Sequence, residues 1–165
     1  MDIHDFMKEF EAGWSNPRGG KAFLDHFLQF MTDETRMVQP MTPTAVGRQE
    51  FAEMFGGTFE LIPDLHAEVH GYTAEGDEVG HVDFDLIGTI GRREFRLTCC
   101  DRITVRDGKV VERIAYFDPT PMILALLRSP RAWPKGIKLM TRRPSRGRRP
   151  AGAKPAPAPL VKEAS

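Results

Sequence analysis

Cysteine is scarce. Cys99 and Cys100 are the only two in 165 residues, and they are neighbours. Adjacent thiols give no disulfide framework and no metal-ligand spacing, and free thiols fit a reducing cytosol. Long apolar runs are missing too: no stretch of about 18 apolar residues occurs, which excludes a membrane-spanning helix. The opening MDIHDFMKEF is acidic and amphipathic, without the basic and apolar segments of a secretory signal. The expected location is therefore cytoplasmic. Phosphate-binding loops are also lacking. GGKAFLDH and MFGGTF carry paired glycines, but neither follows a strand in the required manner, so both are expected at helix ends and turns. No G-x-S-x-G elbow and no nucleophilic Cys–His arrangement is present.

Net charge is zero, with 23 basic and 23 acidic residues, yet the charges are segregated. Residues 135–165 hold nine Lys and Arg against one acid, Glu163, and five prolines. Residues 1–134 hold 14 basic and 22 acidic residues. The C-terminal stretch has almost no apolar side chains after Met140. It cannot bury enough surface to offset the entropy of ordering, so 135–165 is expected to be a disordered basic tail. One domain is expected over 1–134, long enough for a single core.

Within that domain the apolar period is first helical. Ile3, Phe6, Met7, Phe10 and Trp14 predict a helix over 3–15, stopped by Asn16-Pro17 and Gly19-Gly20. Phe23, Leu24, Phe27, Leu28 and Met31 predict a second helix over 21–31. A short strand over 35–39 and a third helix over 47–56 follow. After Pro63 the period changes to two. Strands are expected at 64–73, 79–90, 94–105 and 109–117, joined by short turns that make them antiparallel. Asp118 or Thr120 should cap a short helix over 121–128. Helices followed by a four-stranded meander make an α+β domain with the helices on one sheet face.

Phasing the strands against each other selects one apolar face. It sets Val69 opposite Phe84, Ala67 opposite Leu86, Leu86 opposite Leu97 and Phe84 opposite Cys99. A three-residue loop Arg106-Asp107-Gly108 then sets Cys99 opposite Ala115, Asp101 opposite Arg113 and Ile103 opposite Val111. A slip of one residue would turn a whole set outward. Only Asp101 and Arg113 interrupt the apolar face. The other face carries His66, Glu68, His70, Tyr72, His81, Asp83, Asp85, Arg96 and Tyr116, with His70 opposite Asp83. Its His and Asp residues lack an indicative ligand spacing, so no metal is expected.

The stretch CCDRITVRDGKVVERIAYFDPTP, 99–121, resembles the strand–turn–strand ending of SnoaL-like domains. Together with the helix, strand, helix and meander order, residues 1–133 resemble the nuclear transport factor two-like superfamily. That group includes SnoaL-like polyketide cyclases, ketosteroid isomerase and limonene epoxide hydrolase. The resemblance implies a cone-shaped domain of helices on a curved antiparallel sheet, an apolar pocket, and a homodimer formed through the sheet. Asp101 is similar to the isomerase Asp that donates a hydrogen bond to a forming oxyanion. Its neighbour Arg113, however, should favour the ionised form. The isomerase base has no counterpart in MVQPMTP, 37–43, and its Tyr falls on Phe10. The hydrolase set falls on Asp83, His81 and Ala115. Neither of those mechanisms is implied. A polyketide cyclase needs only an acid/base group in a deep apolar pocket.

The candidate catalytic pair is therefore Asp101, moving a proton, and Arg113, steadying negative charge. The alternative for this pair is a buried ion pair that fixes strand register. Candidate substrate-binding residues are Trp14, Phe27, Phe55, Phe59, Phe84, Cys99, Ala115 and Phe117, which could equally be plain core. The function expected is a small-molecule pocket protein. As an enzyme it would be a cyclase or isomerase acting by proton transfer on an apolar, carbonyl-bearing ligand, with no cofactor. The alternative is a non-catalytic binding or interaction module of the same fold. The tail is either a solubilising extension or a site for polyanions. It has no interleaved aromatic residues for base stacking.

Overall fold

A computed structural model describes residues 1–15 and 19–142. The first helix, α1 (Ile3–Ser15), buries Ile3, Phe6, Met7, Phe10 and Trp14, the stripe that its spacing predicts. The Asp2 carboxylate caps it by accepting the Asp5 amide at 2.9 Å. The expected stop at Asn16-Pro17 lies outside the described residues. The second helix, α2 (Gly20–Leu28), ends a turn earlier than its apolar spacing suggests. Its last carbonyls are taken by tighter bonds, Phe30 N–H to Phe27 O and Met31 N–H to Leu28 O. Phe30 and Met31 stay buried beyond the helix end. Gly13 lets α2 approach α1, since a Cβ there would lie 2.5 Å from the Phe27 ring.

Two short strands, β1 (Arg36–Val38) and β2 (Ala45–Val46), precede α3 (Gly47–Leu61). The third helix continues past the expected end at Gly56. Burial of Phe55, Phe59 and Leu61 outweighs the roughly 1 kcal/mol that each interior glycine costs. The meander follows as β3 (His66–Glu75), β4 (Val79–Ile90), β5 (Arg93–Arg106) and β6 (Lys109–Phe117). The sheet has six strands, not four, in the order β2-β1-β6-β5-β4-β3, because β1 pairs parallel to β6.

Register agrees with the phasing over β3, β4 and most of β5: Val69 faces Phe84, Leu86 faces Leu97, and Phe84 faces Cys99. Between β5 and β6 it differs by two. Cys99 lies opposite Phe117, Asp101 opposite Ala115 and Ile103 opposite Arg113. The turn has two residues rather than three. Asp107 and Gly108 have φ of 51° and 74°, the geometry of a type I′ hairpin. A bulge at Val111 then takes up the odd residue. Val110 turns inward at 1% exposure and Val111 outward at 39%, reversing their expected places. A shift of two keeps parity, so Arg113, Ala115 and Phe117 stay on the inner face. A second bulge, at His70, breaks its expected pairing with Asp83.

The chain then forms α4 (Thr120–Leu127), a 3-10 turn (Pro130–Ala132) and α5 (Trp133–Met140). The Asp118 carboxylate accepts the Thr120 amide at 2.9 Å and so helps to start α4. Residues 135–140, expected in the tail, are therefore helical. Their Leu139 packs on Gly57, and Lys135 Nζ donates to the Glu60 carbonyl at 2.9 Å. The remainder of the expected tail, 143–165, lies outside the described residues.

The core is a sheet-and-helix sandwich rich in aromatic rings. Trp14 and Phe27 pack against Phe23 at 4.6 Å between ring centroids, and Phe55 lies 4.9 Å from Phe23. Phe10 reaches the sheet at Phe84, 5.4 Å away and edge-on.

Candidate functional site

A cavity of about 70 Å³ lies between the inner sheet face and the helices α3, α4 and α5. Its wall is largely aliphatic and aromatic. Trp14, Phe55, Phe84, Cys99 and Phe117 line it, as their place on the apolar face suggests. Of the other candidates, Phe27 lines a smaller neighbouring cavity, while Phe59 and Ala115 line neither. Both are buried and serve as core, Phe59 packing 5.0 Å from Phe23.

Arg113 is the charged side chain on this wall, and it also lines the smaller cavity. Its Nε donates to Asp101 Oδ2, its Nη1 donates to Gln39 Oε1 at 3.3 Å, and its guanidinium carbon stands 5.9 Å from the Phe55 ring centre. The two partners sit diagonally across β5 and β6, a span that a long arginine bridges. They do not project together into the cavity. Asp101 has no exposed surface and lines neither cavity, so Arg113 stands between it and the hollow.

The second carboxylate oxygen, Asp101 Oδ1, is buried without a hydrogen-bond partner among the described residues. Burial pushes the Asp101 carboxyl above the ordinary aspartate range, against the opposing charge and hydrogen bond of Arg113. Arg113 does favour the ionised form, as expected, but burial is the larger effect. An orphaned oxygen in an apolar surround makes charge costly there.

Cys99 is held in its thiol form. Burial, aided by the nearby Asp101 charge, pushes its thiol up to about 12. The other sheet face holds a satisfied surface network. Asp85 accepts from Arg96 at 2.8 Å and from Thr98 at 2.9 Å, with His70 Nε2 at 3.4 Å. Arg96 and Thr98 hold the Asp85 carboxyl below its usual range. His70 thus meets Asp85 rather than Asp83. Among the described residues no three His, Cys, Asp or Glu side chains converge as metal ligands. Among them, too, no helix is long and apolar enough to cross a membrane.

Several lining residues escape the sequence reading. Gln39, Pro40, Met41 and Thr42 follow β1, Met122 and Leu126 come from α4, and Gly136, Leu139 and Met140 come from α5. Gln39 falls at the end of the expected strand 35–39, in a stretch where the sequence reading looks for a carboxylate and assigns no pocket role. Pro134, in the first turn of α5, signals a helix start amid basic composition.

These layers recur in known structures. A protein from Jannaschia sp. CCS1, assigned as a SnoaL-like polyketide cyclase, superposes with a TM-score of 0.63 at 19% identity, over 74% of this chain and 89% of that one. A protein of ketosteroid isomerase-like fold from Catenulispora acidiphila, solved with trimethylamine, gives 0.61 at 14% identity, over 75% and 91%. An M. tuberculosis epoxide hydrolase similar to limonene epoxide hydrolase gives 0.58 at 16%, over 77% and 90%. Among curated proteins none matches the chain in sequence. The structural likenesses establish the nuclear transport factor two-like fold, and they span several chemistries. A family model described as a SnoaL-like domain matches residues 7–113, well over half of the sequence, and the chain belongs to that family.

Proposed function

We propose that the cavity binds an apolar small molecule carrying one oxygen acceptor, a carbonyl or carboxylate, which Arg113 receives. The observation that supports this is a nearly buried guanidinium on an otherwise oily wall. Arg113 is 8% exposed, is held by Asp101 and Gln39, and lines the cavity. Apolar cavities stay dry and take apolar guests. A fixed donor on the wall then orients the guest. The test is a calorimetric comparison of cyclohexanone with cyclohexane. Wild type is expected to prefer the ketone by roughly tenfold, the worth of one good hydrogen bond. The double variant Asp101→Leu/Arg113→Met, which removes both charges together, is expected to lose that preference. Equal affinity of wild type for both molecules contradicts the proposal.

A second reading makes the pair catalytic: Arg113 steadies an enolate while Asp101 takes the α-proton, a step that requires the Arg113 side chain to swing aside, because at rest it stands between Asp101 and the cavity. The unpartnered Asp101 Oδ1 favours it. Exchange of the ketone α-protons with deuterium, followed by NMR, separates this from simple binding. Catalysed exchange that Asp101→Asn abolishes supports the catalytic reading, and no exchange with wild type leaves a binding module. The exposed sheet face with Tyr72 and Tyr116 is the surface we assign to a second copy of the chain.

A further inference from the structure

The segment that roofs the cavity also has an outer side that no described residue covers. On α4, Leu124 and Leu127 are 44% and 58% exposed, one turn apart. On α5, Trp133 and Ile137 are 44% and 59% exposed, also one turn apart. The two pairs are neighbours, because the Trp133 indole N–H donates to the Leu126 carbonyl at 2.9 Å and so brings the ring beside the last turn of α4. Four large apolar side chains exposed together on two adjoining helices exceed the scattered exposure of an ordinary surface.

The charges carried by this segment have one sign, although Glu60 and Glu53 of α3 pair with Lys138 and Arg142. Residues 120–142 contain Arg128, Arg131, Lys135, Lys138 and Arg142, and no acid. Arg128 and Arg131 form no ion pair among the described residues. The sequence continues directly with Arg143, Arg146, Arg148 and Arg149, while residues 1–119 are acidic. Apolar side chains with an exposed tryptophan, ringed by Lys and Arg, suit the interface of a bilayer bearing anionic headgroups. An acidic protein or a nucleic acid would use the cations but leave Leu124, Leu127 and Ile137 unexplained.

We propose that the α4–α5 surface docks on an anionic phospholipid bilayer, inserting Leu127, Trp133 and Ile137 below the headgroups while Arg128 and Arg131 meet the phosphates. The inner sides of the same helices, through Met122, Leu126 and Leu139, roof the cavity. Docking therefore places the roof at the membrane, where lipid-soluble molecules concentrate. That last consequence, though not the docking itself, rests on the cavity function proposed above.

The experiment is flotation of the full chain with vesicles of phosphatidylcholine alone or with about one third phosphatidylglycerol, together with tryptophan emission. The two tryptophans report separately, since Trp14 is 3% exposed and Trp133 is 44% exposed. Binding to the anionic vesicles is expected to exceed that to neutral ones by at least roughly tenfold, with a blue shift and quenching by brominated lipid. Leu127→Glu and Ile137→Glu, both at exposed positions, are expected to abolish the shift and most of the binding while leaving the circular dichroism unchanged. Absence of binding overturns the proposal. So does binding without a blue shift, or binding that the two variants retain, or tighter binding to duplex DNA than to vesicles; each points to the basic sequence acting alone. Ketone affinity is measured without lipid, so failure here leaves the cavity function standing, and the reverse also holds.

Discussion

The Asp101–Arg113 pair carries the electrostatic cost of this core. Asp101 keeps one oxygen unpartnered, and its folded-state carboxyl lies above the ordinary aspartate range because it is buried. From about pH 4 upward the native state therefore holds a proton that the unfolded chain has lost, and the contribution of this group to stability falls as pH rises through the folded value. Urea unfolding between pH 4 and pH 8 is expected to show wild type losing stability relative to Asp101→Asn as pH rises. A relative gain would mean that the ionised pair stabilises the fold. Removing the cation alone is harsher: Arg113→Met should cost about 3–5 kcal/mol at pH 8 and less near pH 5, where the abandoned carboxyl takes up a proton. That these two residues break the apolar face was legible from alternation. Which of them meets the cavity was not, because a shift of two residues preserves the face but moves the partner.

At the level of elements, local rules held where the chain packs simply and failed where tertiary burial competes. The helical stripe of α1 and the alternation of β4 follow from periodicity. The β5–β6 turn does not, since Arg106-Asp107-Gly108 suits a three-residue loop as well as a type I′ pair, and the bulge at Val111 compensates for the difference. Strand β1 joins the sheet through Thr35 as well. The Thr35 hydroxyl donates to the Val110 carbonyl at 2.6 Å, a long-range contact with no local signature. At the entry to α3, Gly47 has φ of 83°, and a Cβ there would lie 2.8 Å from the Asp33 carbonyl oxygen. Gly47→Ala is therefore expected to cost about 1–3 kcal/mol. Asp107→Asn, at a left-handed position that Asn tolerates, should cost almost nothing. Equal urea midpoints for these two variants would refute the backbone explanation.

Across the whole molecule, composition misplaces the end of the folded elements. The shift to basic, proline-rich sequence suggests an end of structure at 134, yet α5 runs to Met140 and supplies part of the cavity roof. Its packing partner, Gly57 of α3, lies far away in sequence, so composition hides the contact. The fold that results is a curved sheet and a helical cover around an oily hollow with Arg113 on its wall, and the ligand-binding and catalytic readings depend on that hollow, whereas membrane docking does not. A crystal structure of the protein with cyclohexanone tests it most directly. The ring should lie between Phe55, Phe84 and Leu97, with its oxygen within hydrogen-bond reach of the Arg113 guanidinium. A ketone seated elsewhere, or one whose oxygen points away from Arg113, would contradict the account.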